Sequence, residues 1–190
     1  METFWNTALW RQFGAAIDTL ENALVACPDW LWKKRLWSEK SDHSQSRGFP
    51  PEFAEFWYLT YHTLVWLDLY LSGVPEEKFA PPAPFAQEEI DTVEALPKQP
   101  YTKEELHAYL ASLRQKCHTT LAALTDEQAR RPVAYPWSEG KAVSFLELQV
   151  YNLRHVQEHA AHLSLFLGQH GIPDEALDWV PRAKDEPENH

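Results

Sequence analysis

Cysteine is almost missing from this chain. The two that occur, Cys27 and Cys117, stand in unrelated contexts of a 190-residue sequence and share no CxxC spacing. That excludes a disulfide framework and fits a reducing compartment, the cytoplasm. Positive charge is short as well, with 17 Lys and Arg against 28 Asp and Glu and a formal net charge of −11. A phosphate backbone needs a basic face able to displace its counterions, and no run of Lys and Arg supplies one. Nucleic acid is therefore excluded as a main partner. The sequence also has no Gly-rich phosphate loop, no HExxH, and no defensible Ser-His-Asp or Cys-His arrangement. The N-terminus, METFWNTALW, is acidic and then polar, so it does not read as a secretory leader.

What is present is apolar and aromatic. Hydrophobic residues make up 44% of the chain, and nine Trp, nine Phe and seven Tyr give it bulky packing material. This suits one domain with a substantial core, over residues 1–175, followed by a charged tail at 176–190 that loses periodicity and is expected to fray. Apolar residues recur at helical spacing in four long stretches, and no stretch reads as a strand. From about Thr3 to Ala26, Trp5, Leu9, Phe13, Ile17, Leu20 and Leu24 form one face. Cys27-Pro28-Asp29 ends that helix, and the polar stretch around residues 38–50 reads as a surface loop.

The second stretch, Pro51 to Ser72, is nearly all apolar and approaches the length of a membrane span. Glu55, His62 and Asp68 interrupt it, and neither a second span nor a flanking basic cluster accompanies it. It reads better as a helix buried on most sides of a bundle. A Pro- and acid-rich connector, residues 74–101, is long enough to run the length of the bundle, so the next helix can lie parallel to the one before. That third helix opens on a capping box, Thr102 with Glu105, and runs to about Leu124. The fourth runs from Ser144 to Gly171, with Ser144 and Glu147 as a second box and Gly171-Ile172-Pro173 as the stop. The fold expected is an all-α four-helix bundle.

Inside the fourth stretch, His155 and His159 are four residues apart and project from one face, one turn from each other. Leu148, Asn152, His162 and Phe166 continue the stripe, so the pair looks inward. His62, in the middle of the second stretch, is the third candidate ligand. Either element alone is as well explained by packing. Three imidazoles facing one interior leave several polar nitrogens to satisfy, at ~1–3 kcal/mol each if unpaired. One divalent ion, about 2.0–2.1 Å from each ring, satisfies one nitrogen of all three. Nitrogen ligands of this softness favour Zn or Ni, or another late divalent metal, over Mg or Ca. Glu158, Asn152, His162 and Asp68 are the side chains able to close such a site. Tyr58, Trp66 and Trp137 are candidates for an apolar wall beside it, and the 38–50 loop and the connector for its rim. His43, His107, His118, His170 and His190 carry weaker signals. No ExxH accompanies a ligand histidine, as a di-iron bundle would require.

FWYLTYHTLVWLDLYL, with one mid-helix histidine, and YNLRHVQEHAAHL, with its HxxxH, resemble the DinB/YfiT-like superfamily over roughly residues 3–170. The resemblance implies a four-helix bundle with up-down-down-up connectivity and a metal triad of His62, His155 and His159. Where many members continue from the HxxxH into a Gly-Gln signature, this chain reads AAHLSLF. The resemblance further implies a metal-dependent transferase joining a low-molecular-weight thiol to an electrophilic substrate; since a metal can activate a bound thiol, no cysteine of the protein needs to take part. A hydrolase, or a helical module that merely holds a metal or ligand, are the other activities it allows. It brings in no membrane partner and leaves room for a homodimer.

Overall fold

The computed structural model of the chain describes residues 4–37, 50–85, 96, 97, 99–135, 141–173 and 177–184. Its four long helices are α1 (Phe4–Ala26), α3 (Phe56–Ser72), α4 (Lys103–Ala122) and α6 (Phe145–Gln169), with two short ones, α2 (Asp29–Trp32) and α5 (Asp126–Arg130). The fold is all-α. One small feature escaped the sequence pattern: β1 (Pro132–Val133) pairs antiparallel with β2 (Val143–Ser144) just before α6. Two residues are too few to show an alternating pattern, so nothing in the sequence marked them.

Local chemistry sets the helix ends. Thr102 and Glu105 form the reciprocal capping box, the hydroxyl accepting from the Glu105 N–H while Glu105 accepts from the Thr102 N–H. Thr125 and Gln128 do the same for α5. Before α6 only half of the box forms: the Ser144 hydroxyl accepts from the Glu147 N–H at 3.1 Å, with Ser144 also closing β2. At the other end Gly171 takes φ +80°, and the Ile172 N–H returns to the Leu167 carbonyl, a Schellman closure. The stretch from Pro51 is not one helix. A 3₁₀ turn at Pro51–Ala54 gives way to extended backbone at Glu55, which bridges to Arg35 before α3 begins.

The packing has a definite order. α1 packs on α4 and α6, and α3 packs on the same two from the other side. Asn6 donates to carbonyls of Leu121 and Leu124, and Asp18 pairs with Arg114, so α1 and α4 run antiparallel. Tyr61 lies against Tyr101, and Asp68 binds Tyr109 and Lys116, so α3 and α4 run parallel. The 74–101 connector thus returns the chain to the start of α3. Between them sits a core of large side chains, among them Phe13, Ile17, Leu20, Phe56, Leu64, Leu67 and Leu106, all essentially without exposure. Each is worth about 1.5–3 kcal/mol of burial. α3 is buried on nearly every side, as its composition suggested, yet no helix among the described residues is long and apolar enough to cross a membrane.

The described part of the tail is docked. Residues 177–184, expected to fray, lie along α1. The Ala183 N–H donates to the Arg11 carbonyl, the Lys184 N–H donates to Asp18 at 2.7 Å, and Ala183 itself is buried. The Gly14 backbone makes room for it, since a side-chain carbon there would meet the Ala183 methyl. Charge in a sequence suggests solvent, but here a buried carboxylate supplies an acceptor. Asp18 has no exposure and is held by Arg114 Nε at 2.8 Å together with the Lys184 N–H. Asp18→Ala leaves Arg114 without its counter-charge and should cost about 3–5 kcal/mol. Urea unfolding checks this, and a loss below about 1 kcal/mol would show that the pair does not hold the bundle.

Candidate metal centre

The seam between α3 and α6 builds the site. The two helices run antiparallel, with Phe56 against Phe166 at one end. At the other end Gln149 Nε2 donates to the Tyr70 carbonyl at 2.8 Å and Asn152 Nδ2 to the Leu67 carbonyl at 3.3 Å. This register brings His62 level with His155 and His159. On α3 the spacing of four repeats through Tyr58, His62, Trp66 and Tyr70, a stripe facing α6.

The three predicted ligands converge. His155 Nε2 lies 3.3 Å from His62 Nε2 and 3.1 Å from His159 Nε2. Nitrogens at these separations subtend roughly 100–110° at a common point 2.0–2.1 Å from each, which is close to tetrahedral. All three rings are mostly covered, and they are the only His, Cys, Asp or Glu side chains among the described residues grouped closely enough to hold an ion together. The donor set fits a late divalent cation. Without one, the inward nitrogens face one another, while His155 Nδ1 and His159 Nδ1 are buried with no hydrogen-bond partner. With one, each ring turns a lone pair inward and keeps its single proton outward.

None of the side chains able to close the site joins the cluster. Asp68 binds the Tyr109 hydroxyl at 2.6 Å and Lys116 at 2.5 Å, on the α4 side of α3. Glu158 and His162 are exposed, and Asn152 spends its amide nitrogen on α3. The other described histidines lie elsewhere. His107 pairs with Glu21, His118 lies against Trp10, and His170 Nδ1 donates to the Phe166 carbonyl.

Aromatic rings surround the triad. Tyr58 stacks near His62 at 6.4 Å between centroids and Trp66 tilts against it at 6.1 Å, so two of the three wall residues expected from sequence are beside the site. Trp137 lies outside the described residues, as do 38–49 of the loop. Tyr70 and Tyr151 flank His155 at 6.3 and 6.5 Å and were missed. The signal was available, because Tyr70 stands two four-residue steps beyond His62 and Tyr151 one step before His155. Leu36 and Trp37, just before the loop, join His162, Leu165, Phe166 and Gln169 around a cleft of about 220 Å³. The described part of the connector goes elsewhere, with Phe85 stacked on Tyr109 and near Tyr61.

A profile of the DinB superfamily matches residues 12–163, from within α1 to within α6. The chain belongs to the DinB superfamily. No curated protein and no solved structure matches it. The matched span of this DinB-superfamily chain contains all three histidines.

Burial keeps the three rings neutral. It holds His62 well below the ordinary histidine range, and the neighbouring His155 and His159 push it the same way. His155 is lowered to about 3 and His159 to about 4, again by burial first and by a neighbouring imidazole second. These groups favour folding only while neutral. The contribution is whole above the unfolded value of about 6.5 and is lost as pH falls from there toward 3–4. Metal-free protein, held in chelator, should therefore lose stability steadily between about pH 6.5 and 4. The slope should be shallower in His155→Gln, and equal slopes in thermal melts across that range would refute the assignment.

Proposed function

We propose that this chain is a metal-dependent enzyme that holds one divalent ion on His62, His155 and His159 and transfers a low-molecular-weight thiol to an electrophilic substrate. The observation that supports this most directly is the convergence of three neutral Nε2 atoms with no fourth carboxylate, thiol or imidazole in reach among the described residues. A structural zinc site is closed by four protein ligands, whereas a catalytic one keeps a position open. A late divalent cation at this point supplies Lewis acidity, lowering the pKa of a thiol or water beside it into the neutral range.

The protein's own part is binding and exclusion. His62, His155 and His159 are neutral, so they leave the cation its full charge. Tyr58, Trp66, Tyr70 and Tyr151 offer apolar faces with polar tips, suited to hold an electrophile and keep water from it. The two cysteines stay out of the chemistry. Both are buried, and burial raises the Cys27 thiol to about 12 and the Cys117 thiol further still. The attacking sulfur therefore comes from a small molecule. Hydrolysis is the second reading, favoured by the same open position, with water in the place of the thiol.

Elemental analysis after zinc or nickel loading should give one ion per chain, and His62→Ala, His155→Ala or His159→Ala should each abolish most of it. Because the rings are already neutral at pH 7, the histidines should release almost no protons when the ion binds. A thiol added afterwards should release close to one proton. Calorimetry in buffers of different ionisation enthalpy measures both. Proton release unchanged between thiol and a matched alcohol would argue against thiol transfer, and unchanged metal content in the alanine variants would remove the metal site.

A further inference from the structure

Asn152 is fully buried on α6, three residues before His155 and on the same face. Its amide orientation is fixed by what it faces. Nδ2 points at the Leu67 carbonyl at 3.3 Å, which can only accept, and at Gln149 Oε1 at 3.5 Å. Gln149 is fixed in turn, because its own nitrogen donates to the Tyr70 carbonyl. The two amides thus form a ladder of one polarity along α6, ending in Asn152 Oδ1, an acceptor with no donor.

One turn further on, His155 has the complementary deficit. Its Nε2 stands between those of His62 and His159, and its Nδ1 is buried without a partner. A neutral imidazole that offers the Nε2 lone pair must carry its proton on Nδ1. An unused donor and an unused acceptor then stand one turn apart on one helix face. Each costs ~1–3 kcal/mol if left unpaired.

Asn152 Oδ1 and His155 Nδ1 make no bond to each other in this structure. We propose that Asn152 is a positioning residue for the three-histidine site: its Oδ1 accepts the Nδ1 proton of His155 when an ion is held, fixing that ring in the tautomer that turns Nε2 inward. This rests on the metal reading above and adds the group that makes the central ligand ready. Metal-bound histidines generally give their second N–H to such a partner, and losing it weakens metal binding about 10–100-fold. The residue three before His159 is Val156, which offers no side-chain acceptor.

The test is nitrogen–proton correlation spectroscopy on the full chain with ¹⁵N-labelled histidine, in chelator and with one equivalent of zinc. In the zinc-loaded protein His155 should show an Nδ1 proton that is shifted downfield and slow to exchange. Asn152→Leu should lose both features and bind zinc about 10–100-fold more weakly. Asn152→Asp, which keeps an acceptor, should restore the Nδ1 signal. Zinc bound at the triad with a fast-exchanging His155 Nδ1 proton would overturn this inference alone, as would Asn152→Leu binding zinc as tightly as the unaltered chain. Failure of zinc to perturb any of the three histidines would overturn the metal reading and this inference together. Should Asn152→Leu fail to fold, the spectrum of the unaltered protein decides by itself.

Discussion

The antiparallel seam of α3 on α6 is the constraint on which the site depends. Helix backbones offer few ways to fix sliding along a shared axis, since apolar side chains tolerate neighbouring registers. Here two buried amides on α6 reach carbonyls of α3, Gln149 that of Tyr70 and Asn152 that of Leu67. Moving either helix by one turn would break both of these contacts and separate His62 from the pair. The polar contacts at one end and the Phe56–Phe166 packing at the other therefore act together to place three imidazoles at one point.

The site is held against an electrostatic preference. Three imidazoles in an apolar interior resist protonation, and the aromatic stripe of Tyr58, Trp66 and Tyr70 strengthens that resistance by excluding water. The result is a set of ligands already in the state a cation requires. The same burial makes the bundle less stable when acid is added, so readiness for metal and sensitivity to acid have one cause. On the far side of α3, by contrast, Asp68 is matched by Lys116 and Tyr109. One helix thus presents a neutral face and an ion-paired face.

Much of this was legible in the residues. The four helices, their caps at Thr102 and Gly171, and the inward direction of His62, His155 and His159 follow from periodicity and from the chemistry of helix ends. What escaped had local causes. The β1–β2 pair is too short to carry a pattern, and Glu55 breaks a stretch whose composition is helical throughout. The tail at 177–184 is polar in sequence, and its docking depends on Asp18 and Gly14, more than 160 residues away. Tyr70 and Tyr151 were visible in spacing but looked like core. Asp68 and Asn152 could be named as closing side chains, though only the packing shows that Asp68 is held by α4 and that the Asn152 amide nitrogen is spent on α3.

The order of neighbours around the bundle bears on how the chain folds. α1 makes its main contacts with α4 and α6, and α3 with the same two, so α1 and α3, consecutive long helices in the chain, are diagonal across the core. No simple helical hairpin is available to start assembly. Even α3 and α4 meet only after a connector of about thirty residues has doubled back, and α1 meets no long partner before α4. Each of these closures carries a chain-entropy cost before any apolar contact offsets it. Among helical proteins of its size, this one should reach its native state slowly, with the histidines assembled only when α6 arrives.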